Sequence, residues 1–181
     1  MTADFIHIVQ GEFAVGQGDN AVISTLLGSC VACCLWDREA GVGGMNHMLL
    51  AGSQVQSTAN TLADINAIES LINALCKVGA ERDRLQAKAF GGARMVSGLS
   101  DIGQKNAEFT LNYLQSEGIE VVTQSLGGTD ARTIRFWPGT DARTIRFWPG
   151  TGRALQRVSE ARVQEVPTPQ PVCEGNGLEL F

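Results

Sequence analysis

Residues 21–50 read AVISTLLGSCVACCLWDREAGVGGMNHMLL, and this stretch decides the fold. AVISTLL at 21–27 is apolar and β-branched, and it stops at Gly28-Ser29. VACCLW at 31–36 is a second apolar run. Asp37-Arg38-Glu39-Ala40 reads as a turn, and VGGMNHMLL at 42–50 is a third run. Short runs of this composition, punctuated by glycine and charged turns, are strands rather than helices.

Working outward, residues 5–9 form a short strand before this block, and 51–60 form a polar loop after it. Leu62, Ile65, Ile68, Ile72 and Leu75 then recur at three and four residues, which predicts a helix over 61–78. Asn60 or Thr61 is placed to cap its start and Gly79 to end it. Leu85, Ala87 and Ala89 alternate with Gln86 and Lys88, a strand running into Phe90-Gly91-Gly92. A second helix is expected over about 103–117, with Ala107, Leu111 and Leu114 on one face and Gly118 as its stop. A strand follows at 119–123. Mixed strands and two helices predict an α/β (α+β) layered domain.

TDARTIRFWPG occurs twice in tandem, at 129–139 and 140–150. Two copies of so short a unit do not make a solenoid. Each copy is expected to fold as its own strand, and a slip by one copy, an odd number of residues, would exchange the faces. Thr140-Asp141 is a candidate turn joining the copies as a hairpin. A bulged-out copy and pairing with a neighbouring molecule are the alternatives. Arg132, Arg135, Arg143 and Arg146 are read as a solvated strand face. The single domain is expected to end near residue 158, with 159–181, rich in proline near 166–171, a disordered tail.

The 181 residues carry a net charge of −5, so no basic excess exists to neutralise nucleic-acid phosphates or anionic lipid. No apolar run is long enough to span a bilayer, and MTADFIHIVQGE lacks the pattern of a signal peptide. Five cysteines, three of them at 30, 33 and 34, do not make a disulfide framework. A cytoplasmic protein with reduced thiols is the expectation.

Only two histidines are present, His7 and His47, so imidazole chemistry must use one of them. If the runs at 31–36 and 42–50 pair around Arg38-Glu39, opposed residues have numbers summing to 77, and Cys30 faces His47. Directly opposed residues bring their Cβ atoms to about 4.5–5.5 Å. A free thiol, with a pKa near ~8.5, is mostly protonated at neutral pH. An imidazole within reach takes the proton, leaves a thiolate–imidazolium pair, and can later protonate a leaving amine. Ser24 or Thr25 is placed to orient the ring. Gly28 and Ser29 let backbone approach a substrate carbonyl, and the amides of Ser29 or Cys30 are candidate oxyanion donors.

Other readings of the same residues remain open. Cysteine is most often a small buried hydrophobe, the reading preferred for Cys33, Cys34 and Cys76, and His7 is read as structural. Cys30-Val-Ala-Cys33 is a C-x-x-C, but such redox pairs usually open a helix, and VACCLW prefers strand. Cys30, Cys33, Cys34 and His47 make a weak metal set, because no second paired motif accompanies them.

GEFAVGQGDNAVISTLLGSCVACCLWDREAGVGGMNHMLL at 11–50 resembles the chemoreceptor glutamine deamidase family CheD. AKAFGGARM at 87–95, IGQKNAEFTLNYLQSEGI at 102–119 and GRALQRV at 152–158 extend the resemblance over most of 8–158. It implies a β-sandwich-like core of mixed sheets with helices outside. It also implies a Cys–His–Thr hydrolase, needing no cofactor or metal, that deamidates glutamines on the cytoplasmic helices of chemotaxis receptors. Cys30 matches the nucleophile and His47 the base. The family's threonine lies six residues before the cysteine, a position held here by Ser24 with Thr25 beside it. A CheC-type phosphatase is the implied regulatory partner. The alternative function is a non-catalytic chemotaxis adaptor, and a thiol redox protein is a third.

Overall fold

The computed structural model describes residues 4–18, 20–49, 58–95, 102–139, 144–148, 153–158 and 162–165. The strands in chain order are β1 (Asp4–His7), β2 (Phe13–Gln17), β3 (Ala21–Leu27), β4 (Val31–Asp37) and β5 (Val42–Asn46). After helix α1 (Thr58–Lys77) come a 3-10 turn at Arg82–Arg84, β6 (Gln86–Gly91), helix α2 (Ile102–Ser116) and β7 (Glu120–Leu126). The chain continues through β8 (Arg132–Phe136), β9 (Thr144–Trp148), β10 (Arg153–Val158) and β11 (Arg162–Glu165). No helix among the described residues is long and apolar enough to cross a membrane.

The strands form two mixed sheets, ordered β1-β3-β8-β9-β10-β11 and β2-β5-β4-β6-β7. Pairs β1–β3 and β6–β7 are parallel and the other pairs antiparallel. Both helices pack on the second sheet. β4 is buried on both faces, which is why VACCLW is a continuous apolar run rather than an alternating one. Ala32, Cys34 and Trp36 join Ile23, Leu27, Ile134 and Phe136 in the core between the sheets. Cys33 and Leu35 join Ile68, Leu71, Ile72, Leu75 and Leu114 in the core under the helices. Cys33 and Cys34 are therefore packing residues of opposite cores.

α1 begins earlier than residue 61 and ends as expected: Gly79 has φ +106° and Ala80 N–H returns to Leu75 O at 3.1 Å. Gly118, with φ +70°, ends α2 in the same way. The strand expected at 5–9 is displaced to Asp4–His7, and β2 has no counterpart among the expected elements. Residues 51–57 of the expected polar loop lie outside the described residues.

Each copy of the duplicated unit supplies a strand, and β8 and β9 pair antiparallel, so they form the hairpin arrangement. The candidate turn at Thr140-Asp141 lies outside the described residues. Thr133 pairs with Phe147, Ile134 with Arg146, Arg135 with Ile145 and Phe136 with Thr144. Each copy's isoleucine is thus registered against the other copy's arginine. Arg132 departs from the solvated reading: it is buried, and its guanidinium donates to Ser125 O at 2.7 Å and to Gly127 O. β11 extends the sheet past the boundary expected at residue 158, while 166–181 lie outside the described residues.

Candidate active site

The β4–β5 hairpin is the scaffold of the site, and its register differs from the expected one. Cys34 pairs with Met45, Trp36 with Gly43 and Asp37 with Val42, so paired numbers sum to 79 rather than 77. The turn centres one residue later because the Asp37 carboxylate accepts from Glu39 N–H at 2.9 Å and Ala40 N–H at 3.1 Å. Gly41 closes the turn with φ +65°.

Beyond Cys34 and Met45 the ladder opens. Asn46 turns its side chain inward and takes Cys33 N–H on Oδ1 at 2.9 Å. Pairing resumes once, at Val31 and Met48. Cys30 and His47 each precede one member of that pair. They are diagonal neighbours, about 7–8 Å apart in a regular ladder, rather than directly opposed. In a regular ladder a two-residue offset leaves both positions on one face.

Around His47 the hydrogen bonds fix its state. Thr25 Oγ1 donates to Ile8 O at 2.8 Å and meets His47 Nδ1 at 2.7 Å. A hydroxyl has one proton to give. Since Ile8 O takes it, Nδ1 must carry the hydrogen and donate to Thr25. In neutral His47 the free lone pair therefore sits on Nε2, which is buried and has no hydrogen-bond partner. Burial first, and the neighbouring His7 second, hold the His47 pKa below its usual value. Ser24, the position that counting from Cys30 selects, lies one residue away on β3 and instead contacts His7 Nδ1 at 3.2 Å. Of the two candidates, Thr25 is the one brought to His47.

Cys30 is half-buried, and burial raises its thiol pKa although its own backbone amide works the other way. Its Sγ donates to Gln10 Oε1 at 3.9 Å. Burial thus disfavours the thiolate of Cys30 and the imidazolium of His47 alike.

Every carbonyl of the Gly28-Ser29-Cys30 turn is engaged. Gly28 O accepts from Ala93 N–H at 2.9 Å, Cys30 O from Gly92 N–H at 2.8 Å, and Ser29 O from Asn106 Nδ2 at 2.7 Å. In a trans peptide the N–H points opposite to the preceding C=O. Tying Gly28 O to Ala93 and Ser29 O to Asn106 therefore turns the Ser29 amide away from Ala93 and the Cys30 amide away from α2. The glycines of FGG and IG allow this close approach. A Cβ on Gly91 would lie 2.1 Å from Cys30 O, and one on Gly103 2.5 Å from Gly92 O. Gln10 joins the site without a sequence signal, because it is remote from Cys30 along the chain, whereas Asn106 lies in the IGQKN stretch that carries part of the resemblance.

A cavity of about 430 Å³ opens beside the cluster, lined by Gln10, Glu12, Phe13, His47, Leu49 and Asn66 among others. A hollow of about 700 Å³ between α2 and the Gly127-Gly128 turn shares none of that lining. Among the described residues no group of three or more His, Cys, Asp or Glu side chains is placed to hold a metal.

The two-sheet α+β domain thus presents a candidate thiol–imidazole site: a cysteine, a histidine with an unpartnered ring nitrogen, and a threonine on the other ring nitrogen. The chain belongs to the CheD family: the family model described as CheD chemotactic sensory transduction matches residues 51–147. The relatives extend the match over Cys30 and His47. A protein of Agrobacterium fabrum named a probable chemoreceptor glutamine deamidase CheD is 44% identical over 97% of this chain and 96% of its own length. One of Rhizobium leguminosarum bv. trifolii with the same name is 46% identical over 97% of this chain and 95% of its own. A crystal structure of the Neisseria meningitidis protein NMB0706 aligns over 71% of this chain and 64% of that one, at 10% identity and a TM-score of 0.42.

Proposed function

We propose that this chain is a protein-glutamine deamidase that converts glutamines on the cytoplasmic helices of chemoreceptors to glutamate. The observation that carries the reading is the unpartnered Nε2 of His47, whose Nδ1 is held by Thr25, with His47 and Cys30 each one residue before a member of the Val31–Met48 bridge. The names of the relatives point to the same substrate.

The reaction runs through Cys30. Its sulfur attacks the carbonyl carbon of a substrate glutamine while His47 Nε2 takes the thiol proton. Burial disfavours a standing charge on either group, so the proton passes to His47 as the sulfur attacks. The oxyanion is received by the amides of Ser29 and Cys30. Imidazolium then protonates the departing ammonia and leaves a thioester. Water, deprotonated by His47, hydrolyses it and returns the thiol. Thr25 keeps the hydrogen on Nδ1 throughout, so Nε2 is always the atom that exchanges the proton. A CheC-type phosphatase is the regulatory partner for which binding is worth measuring.

The test is peptide mass spectrometry of a chemoreceptor cytoplasmic fragment incubated with wild type, Cys30→Ala and His47→Ala. Glutamine-to-glutamate conversion by wild type alone is expected. Absence of conversion by folded wild type, with receptor binding intact, would replace the enzyme by an adaptor.

A further inference from the structure

Among the described residues, the glutamine carboxamide held against the Cys30 thiol belongs to the chain itself. Gln10 Oε1 accepts from Cys30 Sγ at 3.9 Å. Its carbonyl carbon, the atom a deamidase attacks, is one bond from that oxygen. Gln10 and His47 line the same cavity, and the Nε2 of 7%-exposed His47 has no partner. The loop that carries Gln10 is anchored to the histidine itself. Gly11 N–H donates to His47 O at 2.8 Å, and His47 N–H donates to Glu12 O at 2.9 Å. Val9 N–H is capped by the Glu12 carboxylate at 2.9 Å, and Gly11 takes φ +87° so that the chain can turn there.

We propose that Gln10 is a substrate in cis: the site deamidates its own chain at this position. The inference rests on the deamidase reading of the Cys30 cluster. A small rotation of an exposed side chain brings the Gln10 carbonyl carbon toward the reacting separation of about 3–3.5 Å, and tethering replaces a bimolecular encounter with a unimolecular one. Cys30 sulfur bonds to that carbon as its proton passes to His47. The C–N bond breaks and ammonia leaves with the proton. Water then cleaves the internal thioester, giving a glutamate side chain at position 10 and a free thiol. The product places a carboxylate beside Cys30, where its charge disfavours the thiolate. Self-modification is thus a brake on the enzyme's own turnover.

The experiment follows the Gln10-containing peptide of the full-length protein by mass spectrometry over time. Wild type, Cys30→Ala and His47→Ala are compared, each in parallel with a receptor fragment. Expected is the mass gain of an amide-to-acid change at Gln10 in wild type alone, with a first-order rate independent of protein concentration. Glutamine before glycine also hydrolyses slowly unaided, and Cys30→Ala reports that background. Equal conversion in Cys30→Ala, or a rate that rises with protein concentration, overturns the proposal. So does an intact Gln10 in wild type that converts the receptor, which leaves the deamidase reading standing. Conversion of neither substrate overturns both. Gln10→Glu is expected to alkylate at Cys30 more slowly than Gln10→Ala at equal pH, and equal rates would remove the brake.

Discussion

At the C-terminal end of β4, Asp37 is fully buried and fully engaged. Its carboxylate accepts from the amides of Glu39, Ala40 and Glu81 and from Arg84 Nη2 at 2.8 Å. Burial alone would raise its pKa, but Arg84 and the amides more than offset that and hold it at about 2. Beyond the other end of the same strand, half-buried Cys30 and buried His47 are set where charge is unfavourable, with one ring nitrogen unmatched. One cluster is closed and rigidifies the hairpin. The other leaves one hydrogen bond unmade, and under the proposed function a substrate supplies that partner.

The sharpest way to break the comparison is to remove one group from each end. Cys30→Ala is expected to abolish receptor deamidation, and His47→Ala to lower kcat by about 10²–10⁴-fold, with little change in urea midpoint. A urea midpoint that collapses in His47→Ala would mean that this end is structural as well. Asp37→Ala should do the reverse. It strands three amides and takes from Arg84 its buried partner, leaving it Glu81 and Glu39, and should destabilise the fold by about 3 kcal/mol in urea titration. An unchanged midpoint would show the carboxylate to be dispensable.

Thr25→Val sharpens the contrast within β3. Losing the group that fixes the imidazole should lower kcat roughly tenfold, equivalent to about 1.4 kcal/mol. Ser24→Ala should leave kcat near wild type. Reversed results would return the orienting role to Ser24.

The smallest effects are in pH. His47 must be neutral to act, and its pKa is held down, so kcat/KM should persist on the acid side of the usual imidazole value of about 6.5 before it falls. His7→Ala removes the smaller of the two causes and should move that acid limb slightly upward. For Asp37 the folded pKa is below the unfolded one. Its contribution to stability is therefore complete above about 4 and is lost as pH falls through about 2. An acid transition in urea midpoint that is identical in Asp37→Asn would assign it to another group.

Much of this is legible in the sequence. Ala21–Leu27 is a strand over the expected residues, and the stops at Gly79 and Gly118 follow from local backbone chemistry. β2 is hidden because FAVGQ is short and contains a glycine. That glycine exists for packing, since a Cβ on Gly16 would lie 2.7 Å from Ala21 Cβ and 2.8 Å from Pro138 Cγ. The hairpin register departs by two from the expected sum because it depends on where Asp37 folds back, a contact that residue types alone do not locate. Cys30 and His47 are readable from scarcity and spacing. Thr25 over Ser24 is not, because adjacent strand residues face opposite ways and only the neighbour of each face decides. Gln10 reaches the Cys30 turn through a tertiary contact that carries no local signal.

The duplicated unit adds one antiparallel strand, and such additions obey parity. With two copies between β3 and β10, each later strand runs opposite to the direction it would take after a single copy. β3, which carries Thr25, pairs with the first copy's strand β8 and not with the second's. What changes is the end of the sheet from which the chain leaves β10. A third copy would restore the single-copy polarity. If each added copy pairs as these two do, the number of repeats sets the direction of the C-terminal strands through whether it is odd or even.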